Sequence, residues 1–227
     1  MSRSAIGGLV YALVVAAVVA LTATVKTDAY IGNILMQAAT YAIAVFGLSI
    51  VLGLCGQINL AQAAFFALGA YSVALGTVDY HLPFWLCLVG GMALALAAGA
   101  TLGLSTLRLG GHYLAMVTIS FQQILTVVLL NAIGFTHGPD GVSSIPRPAG
   151  FASGQAFLAL VVGTLAISGY LVWCLSDTRL GRAMRAVRDN ELAASASGID
   201  VFRTKLTAFA LAALLGGVGG GLFAGGF

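Results

Sequence analysis

The chain has 227 residues, of which 60% are hydrophobic and only 7% charged, with 10 Lys and Arg against 7 Asp and Glu for a net charge of +3. A mean hydropathy of +1.03 excludes an ordinary soluble domain, whose charged share is about a quarter. Lipid is the solvent this sequence is built for.

Uncharged runs extend over residues 4–25, 29–78, 80–107, 109–139, 148–176 and 206–227. A helix needs roughly 20 apolar residues to cross about 30 Å of hydrocarbon. Each run therefore holds one span, and 29–78 holds two. The expectation is an all-α, polytopic membrane helical bundle with about seven transmembrane spans, forming a single transmembrane domain over residues 1–227.

In chain order, the spans are predicted near Ala5–Thr24, Tyr30–Leu52, Gly56–Gly76, Pro83–Ser105, His112–Ile133, Gln155–Leu175 and from Lys205 to the end. The first reads as a retained helix, because it exceeds the 7–15 residues, roughly, of a signal-peptide core and no polar domain follows. In the third, Ala63, Ala67, Ala70 and Ala74 recur on one face. Small residues at that spacing let helix backbones approach closely, so this helix is expected at the centre of the bundle. The closing GGVGGGLFAGGF predicts close packing or local flexibility.

With Arg3 in the cytoplasm and seven alternating spans, eight basic residues fall inside and only Lys26 and Arg147 outside, as the positive-inside rule requires. The small basic excess is thus a topology signal, not a nucleic-acid footprint. Cys55, Cys87 and Cys174 form no CxxC pair, and His81, His112 and His137 stand alone. No metal site, catalytic constellation or cofactor is expected, and no GxxxxGK phosphate loop is present.

No Asp, Glu, Lys or Arg falls in the interior of a proposed span, which argues against an ion-coupled carrier built on intramembrane charge. The spans do carry amides and hydroxyls: Gln57, Asn59 and Gln62 in the third, and Thr118, Gln122, Gln123 and Thr126 in the fifth. Thr118, Gln122 and Thr126 share one helical face. Either they bond between helices, because an unpaired polar group in hydrocarbon costs several kcal/mol, or they line a solute path. Beyond the fifth span, Gly138, Pro139, Asp140 and Gly141 have the residue preferences of a type I turn.

Six of the ten basic residues and four of the seven acidic ones lie between Asp177 and Lys205. Asp177 can cap a helix starting near Thr178, with Leu180, Ala183, Met184 and Val187 as an apolar stripe and Arg182, Arg185 and Arg188 beside it. Asn190 is a second N-cap, Glu191 suits the first turn of the next helix, and Gly198 suits its stop. This cytoplasmic loop, 177–204, either enforces topology and binds anionic headgroups or inserts into a cytoplasmic partner.

Three blocks in order carry a family resemblance: GLCGQINLAQAAFFALGAY, then LRLGGHYLAMVTISFQQIL with GPDGVSSIP, then SDTRLGRAMRAVRDNELAASASGI. From about Tyr41 onward the chain resembles the LivM-type permeases of branched-chain amino acid ABC importers. The resemblance implies a multi-pass permease of the bacterial plasma (inner) membrane. Its partners would be a second, LivH-like permease, two cytoplasmic ABC ATPases that hydrolyse ATP, and an extracytoplasmic substrate-binding protein facing Gly138–Gly141. By position, Glu191, Ala193, Ala194 and Gly198 would form the ATPase-coupling segment, with Arg182, Arg185 and Arg188 upstream. Movement of that segment would rock the sixth and seventh helices.

The departures are Asn59, Ala61 and Gln62, where the family often has Ser, Gly and His, and His137, where it often has Gly. Family members also continue with further spans, so the chain is expected to be C-terminally truncated. Urea, short amides or other amino acids are alternative cargoes, and a passive channel without ATPases is the alternative class.

Overall fold

The computed structural model describes residues 29–106, 111–148, 150–151 and 153–226, and every regular element among them is helical. Helix α1 (Ala29–Leu48) runs into a six-residue π-helical turn, Ser49–Leu54. The chain then leaves helical geometry at Gly56, whose φ of +69° favours glycine. Helix α2 begins only at Gln62 and ends at Val78.

The expected start at Gly56 is therefore corrected, for a reason that lies in tertiary contacts. Asn59 Oδ1 accepts from the Ala61 amide, and Thr118 Oγ1, from a distant helix, accepts from the Leu60 amide. Side chains thus satisfy donors at the end of α2 that no preceding turn could serve. The extended entrance is held against protein at Gln57, Asn59 and Ala61, all buried.

Helices α3 (Phe84–Thr106) and α4 (Gly111–Asn131) follow, then a single turn, α5 (Ile133–Thr136), and a 3-10 turn over Gly138–Asp140. Helix α6 (Gly154–Asp177) is capped by Ser153 Oγ, which accepts from the Ala156 amide. Two short helices, α7 (Arg179–Asp189) and α8 (Glu191–Ala196), precede the last, α9 (Val201–Ala224).

Among the described residues, five helices are long and apolar enough to cross a membrane: α1 with its π extension, α3, α4, α6 and α9. Helix α2, at 17 residues, is shorter. Of the seven expected spans, Ala5–Thr24 lies outside the described residues. Among the described residues, the six spans expected there appear as five membrane-length helices and the shorter α2.

Helix α9 occupies the middle, against α1, α2 and α3, rather than α2 as its alanine spacing suggested. The reason is its glycines. An ideal Cβ at Gly220 would overlap the Phe66 carbonyl of α2, and one at Gly217 would come within 2.8 Å of Ala95 Cβ on α3. Backbones touch where side chains would keep them apart, the usual basis of close helix association in lipid. The Gly-rich end is closely packed, with Gly216 to Leu222 buried.

Contacts between loops define two ends of the bundle. At one, His137 Nε2 lies 3.2 Å from Asp79 Oδ2, joining the end of α2 to the 3-10 turn. His137 itself adopts φ +61°, ψ +6°, the left-handed region open most freely to glycine. At the other end, α7 lies against the π turn and α9, and α8 against α7 and α9.

Candidate functional site

The amphipathic pattern of 177–204 folds as expected, with two corrections at its borders. Asp177 is the last residue of α6, and the cap of α7 is Thr178, whose Oγ1 accepts from the Gly181 amide at 3.2 Å. Gly181 is placed so tightly that a Cβ there would overlap the Leu175 carbonyl, which fixes the corner between α6 and α7. The second correction is that α9 starts at Val201, capped by Asp200 Oδ1 to the Arg203 amide, so Lys205 lies inside a membrane-length helix.

Asn190 caps α8 as its sequence predicts, with Oδ1 accepting from the Leu192 and Ala193 amides at 3.0 Å each. Gly198, at φ +81°, closes it, while the Ile199 amide reaches back to the Ala194 carbonyl. This is the glycine-dependent helix stop. Met184 and Val187 of the expected stripe are fully buried, and Leu180 and Ala183 partly so.

The charged residues divide into two sets. Arg188 Nη1 donates to the Gly53 carbonyl at 2.8 Å, and its stem lies against Gly56, where a Cβ would meet Arg188 Cγ at 2.5 Å. Glu191 Oε1 pairs with Lys205 Nζ at 2.6 Å, and the lysine side chain is only 6% exposed. Ala194 is buried between α8 and the bundle. Ala194 is enclosed, whereas Arg188 and Glu191 stay partly open to solvent while their polar ends bond to the bundle, with 43% and 50% of their side chains exposed.

Arg182, Ala193 and Gly198 face solvent and Arg185 is half-buried; Arg182 Nη1 donates to the Asp177 carbonyl at 2.6 Å. Leu192 is the most exposed large apolar residue of this segment, at 82%. Sequence reasoning passed over Leu192, because one apolar residue in a polar run carries no periodic signal. It also passed over Lys205, whose partner lies on another helix.

Cys55 sits beside this joint. It is fully buried, and burial pushes its thiol up to about 11, with the Lys205 charge partly opposing and Glu191 adding to the rise.

Of the polar residues proposed within spans, Gln57, Asn59, Gln62 and Thr118 gather around the entrance to α2. Gln57 is buried, with its amide bonded to the Val51 carbonyl. Asn59 Nδ2 donates to Gln62 Oε1 at 3.5 Å. Gln62 Nε2 in turn donates to the Ala44 carbonyl of α1 at 2.9 Å and to the Ala212 carbonyl of α9 at 3.1 Å. Gly47 leaves room for this amide, since a Cβ there would stand 2.7 Å from Gln62 Nε2.

Further along α4, Gln122 is half-buried, Gln123 and Thr126 are exposed, and Thr126 Oγ1 bonds to the Gln122 carbonyl. The seven residues thus separate into an interhelical knot and an exposed polar strip.

At the opposite end, Gly138, Pro139 and Asp140 form the 3-10 turn, closed by the Gly141 amide to the Gly138 carbonyl at 3.3 Å. Gly138 is buried, whereas Pro139 is exposed with Asp140. The described residues contain no cluster of His, Cys, Asp and Glu that could hold a metal ion.

These arrangements accompany clear sequence similarities. The family described as "Branched-chain amino acid transport system / permease component" matches residues 30–227. The chain belongs to this permease family. It is 37% identical over 211 residues to the high-affinity branched-chain amino acid transport system permease protein LivM of Escherichia coli K12, covering 81% of this chain and 50% of the relative. The LivM of Salmonella typhimurium matches to the same extent.

The ribose import permease protein RbsC of Escherichia coli K12 is 29% identical over 196 residues, 83% of this chain and 59% of that protein. No solved structure matches. The chain spans about half the length of the LivM proteins it matches.

Proposed function

We propose that the chain forms part of the translocation path of an ATP-driven importer for branched-chain amino acids. It would work beside a second permease, two cytoplasmic ABC ATPases and an extracytoplasmic binding protein. The observation that carries this reading is the build of α7 and α8. They are tied to the bundle by Met184, Val187, Arg188 and Glu191, and they present Arg182 and Leu192 to solvent. An exposed apolar side chain on a segment rich in basic residues is suited to a protein partner, as an apolar anchor with charges in the same segment. ATP hydrolysis belongs to that partner.

Affinity purification of the tagged chain from its native membrane, followed by mass spectrometry, tests the reading. Two ATPases and a second permease are expected with it. Recovery with no ATPase, under conditions that keep a related importer intact, would reject it. The similarity to a ribose permease favours one second reading, a polar cargo carried by the same assembly.

The positive-inside distribution supports placing α7 and α8 in the cytoplasm and the Asp140 turn outside the inner membrane. A cysteine replacing Asp140, in a chain lacking Cys55, Cys87 and Cys174, will be labelled from outside by an impermeant thiol reagent. Labelling from the cytoplasmic side alone would reverse the orientation.

A further inference from the structure

The acid that sequence position marks for the ATPase is half exposed, yet its carboxylate is bonded to the buried Lys205 of the central helix. We infer that Glu191 works inward, as a strut that makes α8 and the foot of α9 move as one body, and that Arg188 does the same between α7 and the end of α1. The inference rests on the importer reading above.

Lys205 is nearly enclosed. Its ammonium lies on the second turn of the central helix with a side chain 6% exposed, and its bridging partner among the described residues is Glu191. The other nearby charges are engaged elsewhere: Arg203 Nε with Asp200 Oδ2 at 3.1 Å, and Arg188 with Gly53 and Asp189. A buried ammonium deprived of its counter-ion carries a desolvation penalty that nothing else repays. Pulling α8 away from α9 would therefore strand Lys205, and the two stay together through any motion of the docking helices.

What α9 feels is then passed on. Its glycines place its backbone against α2 and α3 with no side chain between them, and packed interfaces of this kind shift as units rather than deform. Gln62 adds hydrogen bonds from α2 to both α1 and α9. Arg188 holds the Gly53 carbonyl, a few residues before the Gln57–Asn59 entrance. Force applied at Leu192 thus reaches the polar knot through two charged contacts. The consequence differs from a rocking of the last two helices: α1, α2, α3 and α9 move with the docking helices as one body, against whatever faces them across the membrane.

The test uses the full chain in its native membrane, with Cys87 and Cys174 replaced by alanine so that Cys55 is the single thiol. Four readouts are taken: alkylation of Cys55 by N-ethylmaleimide, ATPase recovered with the chain, ATP hydrolysed, and uptake of radiolabelled leucine. Glu191→Gln and Lys205→Met are each expected to leave ATPase recovery within about twofold, and to lower leucine uptake per ATP hydrolysed about tenfold, within the range of coupling terms between sites. Cys55 alkylation is expected to rise by a similar factor. Joining Glu191→Lys to Lys205→Glu should restore both protection and coupling.

A merely structural role would reduce the amount of complex and leave the uptake-to-hydrolysis ratio unchanged, which would overturn the inference. So would loss of ATPase recovery in Glu191→Gln with Cys55 still protected, since the acid would then face outward. If the unmodified chain recovers no ATPase or takes up no leucine, it is the importer reading that fails. Cys55 alkylation then decides the ion pair alone: exposure in the single variants with protection in the exchanged pair supports it, and equal alkylation in all overturns it.

Discussion

Replacing Gly220 by valine is expected to abolish the folded protein. The position lies in α9 where a Cβ would overlap the Phe66 carbonyl oxygen of α2 and stand 3.0 Å from the Ala70 amide nitrogen. Overpacking against flexible side chains costs about 1–3 kcal/mol, but here the obstacle is backbone, which cannot rotate aside. The loss should therefore exceed about 3 kcal/mol, a large fraction of the stability of an ordinary domain. Size-exclusion profiles in detergent, together with protease resistance, measure it.

Gly163→Ala supplies the control. Gly163 lies within α6 with nothing inside 4 Å of an added Cβ, so alanine should be neutral or stabilise by up to about 1 kcal/mol through helix propensity. If the two variants behave alike, α9 is not in backbone contact with α2.

Leu192→Asp is expected to remove ATPase binding while leaving the fold intact. With 82% of its surface exposed, the side chain contributes little to the isolated chain, and substitutions at such positions usually stay within about ±0.5 kcal/mol of the parent stability. If it is the apolar anchor of the docking surface, a buried carboxylate in its place should cost about 2 kcal/mol or more, or roughly 30-fold in affinity by the usual conversion. Quantitative recovery of ATPase subunits with the tagged chain reads this out, and unchanged recovery would remove Leu192 from the docking surface. Glu191→Lys is a poorer probe of docking than its motif position suggests, because it would set a second ammonium against Lys205.

How far the site was legible depended on the range of the interactions that build it. Asn190 and Gly198 were readable because a cap and a stop depend on residues within one turn, and both act as their types predict. Thr178 rather than Asp177 caps α7, a one-residue shift that the Gly181 contact with Leu175 decides. Glu191 was singled out, yet its direction was not, since its partner lies 14 residues on and in another helix. In the sequence, polarity and, in the fifth span, helical spacing are all that mark the seven path candidates. Only the folded chain separates Gln62, which bonds to Ala44 and Ala212, from Gln123, which faces outward.

Taken by itself, the sequence determined the helical class, the membrane setting and the position of the charged segment. All three follow from local composition: a run of about 20 uncharged apolar residues is a span wherever it sits, and backbone groups in lipid must be satisfied within the helix. The tertiary structure alone decided that α9 is central, that α2 begins at Gln62, and that Lys205 is buried inside a helix whose interior is free of charge in the expected reading. Each of these is set by a contact between residues far apart in the chain: Gly220 with Phe66, Thr118 with Leu60, Lys205 with Glu191. Residue type says that such a group needs a partner, and only the packing of the helices says which one it finds.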